Sequence, residues 1–269
     1  MLYKFNGFYD SGSMRTHIQI PTLVRIKPGA LGRVGIYVRR EEMERVVVFH
    51  SEGLPSDLLK GLSEGLEAEK VSVLHRCAVD DASFEQAQSL FAKIPKGTEA
   101  VVGFGGGKAL DVAKYIAFLS DLPYLSVPTS LSNDGICSPQ SSLTLEGRRQ
   151  SLPSVMPFGV VIDTEVCLAA PDNLWFSGIG DLVAKLTATY DWKLAFHETG
   201  TPVDDFAANL VQIQLGISSG LRPTTGKLDQ RGFRYAAAAC MTGKQIGQQP
   251  GCQVNRHREA LFFAVQNEA

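Results

Sequence analysis

From Ile20 to about Pro171, short β-branched runs alternate with amphipathic stretches. Val46–Phe49 is a continuous apolar run that ends at a Gly/Pro-marked turn, Gly53–Pro55. Leucines at 58, 59, 62 and 66 then recur at the spacing of one helix face. Val71–Leu74 predicts the next strand. Ala82–Ile94 predicts the next helix, with Phe84, Ala87, Leu90 and Phe91 on one side, and Ala100–Val102 predicts a third strand. Short connections in such a run imply a doubly wound α/β fold, a parallel sheet covered on both faces, whose ligand crevice lies at the carboxyl ends of the strands. Leu125–Pro128 and Gly159–Ile162 add two more strands, and Ser141–Ser151 between them predicts a hairpin around Glu146 and Gly147.

After Pro171 the pattern becomes helical. Asp181–Glu198 carries apolar residues at 182, 183, 186, 190 and 194, with Gly178 and Gly180 before it and Gly200 after it. Phe206–Ile217 and Gln230–Met241 predict two further helices. The organisation expected is an α/β domain over residues 1–172, an incomplete all-helical domain over 173–243, and a tail over 244–269.

Residues 103–114 read G-F-G-G-G-K-A-L-D-V-A-K and follow the third strand directly. Consecutive glycines between a strand and a helix let backbone N–H groups close on a phosphate, and Lys108 adds a positive charge. The spacing is neither a Walker loop, which needs one more residue and a Ser or Thr after the Lys, nor a Rossmann fingerprint, since Lys108 stands at the final glycine position. A tight turn with no ligand is the competing reading.

A formal charge of -2 gives no electrostatic reason to expect nucleic acid or an anionic membrane as a partner, and leaves small charged metabolites open. No window reaches the roughly 18 apolar residues of a membrane span, and Met1–Arg15 lacks a basic-then-apolar leader, so a cytoplasmic location is expected. The five cysteines are scattered without a C-x-x-C pair, which predicts free thiols rather than disulfides or structural zinc.

Four segments occur in order: the glycine turn, V-P-T-S-L-S-N-D-G at 127–135, V-V-I-D-T at 160–164 and G-I-G-D-L-V-A-K at 178–185. Together they resemble the glycerol-1-phosphate dehydrogenases, within the superfamily of iron-containing alcohol dehydrogenases, glycerol dehydrogenases and dehydroquinate synthases. The resemblance spans roughly Pro21–Gly243, and the steps Asn133-Asp134-Gly135 and Asp191-Trp192-Lys193 favour the glycerol-phosphate branch. It implies cofactor contacts at Gly105, Gly106, Gly107, Lys108, Asp111, Thr129, Ser132 and Ser138, and substrate contacts at Asp134 and Asp181. Asp181 would also be a metal ligand and hence catalytic. The cofactor implied is NAD or NADP with a divalent metal, zinc or nickel. The reaction implied is reversible hydride transfer between the nicotinamide and the central carbon of dihydroxyacetone phosphate, with the metal polarising the carbonyl. A homo-oligomer is compatible with this reading.

Each residue also has a plainer role open to it. Asp181 after two glycines fits a helix N-cap or first-turn position, Asp111 a dipole partner, and Thr129 and Ser132 turn stabilisers. Lys114 reads as a surface or structural lysine, and His17, His50, His75 and His197 as structural or exposed. A rise of 1.5 Å per residue separates His197 from Asp181 by about 24 Å along a helix, so the two cannot share a metal.

The family pattern completes its metal site with two later histidines, the first in a segment resembling S-S-R-P-A-S-G-S-E-H-x-F-S-H. This sequence has His257 alone beyond the long helix, in N-R-H-R-E-A-L-F-F, so the helical domain is expected to be truncated and the metal site incomplete. From Lys244 onward the chain is rich in Gln, Gly and Arg without apolar period. With one choice of codons, reading Glu259–Phe263 one base out of register gives Lys-His-Cys-Phe, and Gly247–Gly251 can yield Ser-Ser-Arg. Residues 244–269 are therefore expected to be an out-of-frame tail. Three functions follow as expectations: an NAD(P)-dependent glycerol-1-phosphate dehydrogenase impaired by truncation, a non-catalytic remnant that still binds dinucleotide, and a dehydroquinate synthase-like lyase, which the N-D-G and D-W-K steps disfavour.

Overall fold

Six parallel strands in the order β1-β8-β5-β4-β2-β3 form the frame of the protein, described by a computed structural model over residues 20–200, 202 and 203. The strands are β1 (Leu23–Lys27), β2 (Arg45–Ser51), β3 (Ser72–Val79), β4 (Ala100–Gly105), β5 (Tyr124–Pro128) and β8 (Gly159–Asp163). The helices predicted at 206–217 and 230–241, and the tail 244–269, lie outside the described residues.

Along β2 the side chains alternate between two apolar layers. Val46 and Val48 pack with Leu62 and Leu66 of α2 (Ser56–Glu67) and with Val34 and Tyr37 of α1 (Val34–Arg40). Val47 and Phe49 face the other way, against Ala87 and Leu90 of α3 (Phe84–Phe91) and Val112 and Ile116 of α4 (Gly107–Ser120). A sheet buried on both faces explains why β2, β4, β5 and β8 are nearly continuous apolar runs. The doubly wound expectation is met.

Local chemistry sets the ends of the elements. The Ser83 hydroxyl accepts the Gln86 N–H at 3.2 Å and starts α3. Asp163, buried at the end of β8, accepts from Glu165 N–H at 3.0 Å to start α5 (Thr164–Leu168) and from Leu31 N–H at 2.9 Å, tying β8 to the 3-10 turn after β1. The expected hairpin forms from β6 (Gln140–Leu145) and β7 (Arg148–Pro153), with Glu146 and Gly147 both at positive φ, as a two-residue turn matching the strand twist requires.

The start of the last described helix departs from expectation. α6 runs Asp172–Thr199, so Gly178 and Gly180 lie inside it and do not mark its beginning. Gly178 is there for packing: a Cβ on it would sit 1.9 Å from the Leu131 carbonyl oxygen. Two effects oppose each other in Gly178→Ala. Helix propensity favours alanine by about 1 kcal/mol, but overpacking against a fixed backbone oxygen costs about 1–3 kcal/mol. A contact this short makes the second dominate, so denaturant unfolding of Gly178→Ala should show a lower midpoint. An unchanged or raised midpoint would mean that α6 does not dock here.

Candidate functional site: a glycine turn joined to a buried acid cluster

The chain passes from β2 out to the edge strand β3 and returns to β4 on the other side of β2. The connections therefore leave β2 and β4 in opposite directions, and a crevice opens between their carboxyl ends, where open α/β sheets bind ligands. Its volume is about 440 Å³, and it is lined by Ser51, Glu52 and Gly53 after β2, Val79 and Asp80 at the end of β3, and Gly106, Gly107 and Lys108 after β4.

The turn is tighter than its sequence suggests, because β4 continues through Gly103 to Gly105 and α4 begins at Gly107. Gly105 has φ of 135°, and a Cβ there would lie 2.2 Å from Ser51 Oγ. That same hydroxyl accepts the Gly106 N–H at 2.9 Å. Gly106 is the N-cap of α4 and offers no capping side chain, so the first N–H groups of a 14-residue helix face the crevice. The exposed Lys108 reaches across it, with Nζ 3.5 Å from the Asp80 carbonyl oxygen. Backbone donors, a helix dipole and an ammonium together suit a diphosphate.

The next polar turn leads from the glycines to a set of buried charges. Thr129 is half-buried and donates its N–H to the Gly105 carbonyl at 3.0 Å. Ser132 Oγ lies 3.3 Å from Asn133 Nδ2. Asn133 stands where the two turns touch: its Oδ1 accepts the Gly135 N–H at 2.8 Å, and its Nδ2 would be 2.7 Å from a Cβ on Gly107. The adjacent Asp134 is buried. Its N–H donates to Asp181 Oδ2 at 2.8 Å, and its Oδ2 is 2.5 Å from Lys185 Nζ. Asp181 and Lys185 are four residues apart on α6 and so share a face. Since α6 starts at Asp172, the N-cap reading of Asp181 is overturned. The carboxylate binds the Asp134 backbone instead.

A second buried pair supports the turn. Lys114 is fully buried, and its Nζ donates to the carbonyls of Gly135 at 2.7 Å and Gln140 at 2.8 Å and to Asp111 Oδ1 at 3.3 Å. It is structural and not a surface lysine. Asp111, held by this pair, and Ser138, whose hydroxyl donates to the Gln140 carbonyl at 3.1 Å, are not among the residues lining the crevice. Cys137, beside the cluster, is a free thiol that burial pushes up to about 12, so it stays protonated and inert.

The fold thus brings Gly105–Lys108, Thr129, Ser132, Asp134 and Asp181 into one continuous line of contacts through Asn133. No role is expected from the sequence alone for Lys185, Ser51, Glu52 or Asp80. Lys185 carried a signal, the Asp-x-x-x-Lys spacing on a helix; the other three become visible only when β2 and β3 lie beside β4. Among the described residues no group of three or more His, Cys, Asp or Glu could hold a metal ion. Catalytic metals normally take about three protein ligands, so the described residues do not by themselves fit one. Among the described residues no helix is long and apolar enough to cross a membrane.

A parallel sheet with a glycine turn at its switch point is the arrangement of dinucleotide-binding α/β proteins. Residues 25–171 match the iron-containing alcohol dehydrogenase family, and the chain belongs to it. Among its relatives is the glycerol-1-phosphate dehydrogenase (NAD(P)+) of Metallosphaera sedula, 34% identical over 195 residues, which cover 72% of this chain and 55% of that one. The enzyme of the same name from Pyrobaculum arsenaticum is 31% identical over 263 residues, 93% of this chain and 73% of that one. The fold is also that of glycerol dehydrogenase from Schizosaccharomyces pombe, with a TM-score of 0.73 at 23% identity, over 87% of this chain and 62% of the other. The chain spans little more than half the length of the first of these relatives.

Proposed function

We propose that the protein is an NAD(P)-dependent sn-glycerol-1-phosphate dehydrogenase, interconverting dihydroxyacetone phosphate and glycerol 1-phosphate. The observation that carries this reading is the contact line from Gly107 through Asn133 and Asp134 to Asp181, which joins a diphosphate cradle to buried carboxylates. In this reading the α4 N-terminus, Gly105–Lys108, holds the pyrophosphate, and Thr129 and Ser132 flank the nicotinamide end. Asp134 orients a substrate hydroxyl, and the Lys185 ammonium holds that carboxylate in place. A bound nicotinamide would supply the hydride that reduces the substrate carbonyl carbon, with solvent supplying the proton that completes the alcohol. The names of the relatives support this choice of substrate and cofactor.

Zinc or nickel belongs to the proposal as an added ion, with Asp181 as the described contribution to its binding, and no step is assigned to it. The compartment proposed is the cytoplasm, where both the nucleotide and the phosphotriose are found, and the partner proposed is a second copy of the chain.

The test is turnover. NADH or NADPH oxidation is followed at 340 nm with dihydroxyacetone phosphate, with and without zinc or nickel. The expected outcome is phosphotriose-dependent oxidation that Asp134→Asn lowers by about 100-fold or more, as loss of a positioned polar group in a site does. A protein that binds the nucleotide but gives no turnover under any of these conditions would favour the non-catalytic remnant.

A further inference from the structure

Asp181 and Lys185 do not dock α6 on the acidic turn alone. One turn earlier on the same helix, Ser177 donates its hydroxyl hydrogen to the Ser132 carbonyl at 3.0 Å. Its neighbour Gly178 lies against the Leu131 carbonyl, and the Asp181 carboxylate takes the Asp134 N–H at 2.8 Å. The helix thus holds the backbone of the turn at 131, 132 and 134.

The Ser177 bond is directed outward by choice of partner. A serine or threonine inside a helix commonly returns its hydroxyl to a carbonyl one turn back. Thr187, Thr189 and Thr199 of α6 do this, donating to the carbonyls of Ala184, Lys185 and Ala195. Ser177 crosses to Ser132 instead. Ser132 is half-buried, and its Oγ accepts from Asn133 Nδ2 at 3.3 Å and from Ser130 Oγ at 3.4 Å. Both lone pairs of that oxygen are then taken, so the hydroxyl hydrogen is what the residue offers to a ligand oxygen. The direction of that hydrogen follows the Ser132 backbone, whose carbonyl Ser177 holds from the side of α6.

We infer that Ser177 is a positioning residue for nucleotide binding, acting through the Ser132 carbonyl to fix the Ser132 hydroxyl against the dinucleotide. This rests on the reading above that Ser132 flanks the nicotinamide. The experiment is a titration of full-chain variants with NADH, read by nicotinamide fluorescence, with ligand-free melting curves beside it. Ser177→Ala should weaken NADH by about fivefold, the worth of one hydrogen bond, while melting within about 4 °C of the parent. Ser177→Thr keeps the hydroxyl and should bind within about twofold of the parent. Ser132→Ala should also weaken NADH, and adding Ser177→Ala to it should change the affinity by less than about twofold, because the group being positioned is already gone. A bond that only docks the helix would cost the same factor in both backgrounds. Equal losses in the two backgrounds, parent-like binding by Ser177→Ala or Ser132→Ala, or no recovery in Ser177→Thr would overturn the inference and leave the dinucleotide reading intact. A parent protein that binds no NADH would overturn the dinucleotide reading, and this inference with it.

Discussion

Lys185→Met is expected to destabilise the protein by about 3–5 kcal/mol, the cost of removing one partner of a buried ion pair and leaving the other charge in place. Lys185 and Asp134 are both buried and 2.5 Å apart, and Asp181 brings a second carboxylate to the same spot. The loss should appear as a fall in melting temperature on the order of 10 °C for a chain of this size. A structural account that treats Lys185 as one more contact predicts a similar drop. The double variant separates them: Lys185→Met with Asp134→Asn should recover much of the lost stability, because the carboxylate that paired with Lys185 is then neutral. Additive losses in the double variant would show that the pair is not coupled.

The second large effect is expected at the glycine turn. Gly105→Ala must hold a side chain at φ of 135° and place its Cβ 2.2 Å from Ser51 Oγ. The backbone strain costs about 1–3 kcal/mol, and the clash adds a comparable amount by overpacking. Relief would push Ser51 away and release the Gly106 N–H that its hydroxyl accepts. Thermal melts should show Gly105→Ala well below the parent protein, and fluorescence titration should show NADH binding weakened by tenfold or more. Gly106→Ala is the internal control. Its nearest neighbour would be Ser51 Oγ at 3.8 Å, an ordinary contact, so its stability should stay within about 1 kcal/mol of the parent. Equal effects from the two substitutions would mean that the turn does not have this geometry.

What could be read from the amino-acid order follows burial. The strands β2, β4, β5 and β8 were visible because both their faces are covered, which demands unbroken apolar runs such as Val46–Phe49. The edge strands were harder. Among the described residues β1, Leu-Val-Arg-Ile-Lys, pairs only with β8, and it carries two cations, one of them stacked over Tyr37 with Arg25 Cζ 5.5 Å from the ring centre. β3 continues to Val79 through His75 and Arg76, whereas its apolar signal ends at Leu74.

The beginning of α6 was misread because Gly178 signals a break locally, yet here it makes room for the Leu131 carbonyl, a contact between residues distant in sequence. The same separation hid the site's support. Lysine usually stays in water, so nothing local marked Lys114 as buried, and the Asp181–Lys185 spacing marked a pair but not its burial. Their burial depends on carbonyls and carboxylates that the fold brings from residues 134–140. The glycine turn and the Asn133-Asp134-Gly135 step could be located in the sequence. That they touch through Asn133 could not, since it depends on β4 and β5 lying side by side.

The central claim is that the glycine turn and the acidic turn form one ligand site. Hydrogen exchange of the full chain, read by mass spectrometry with and without saturating NADH, tests it most directly. The account predicts slower exchange in peptides covering residues 105–110 and 129–135 together, with α1 unchanged. Protection confined to other segments, or none at either turn while NADH is bound, would contradict it.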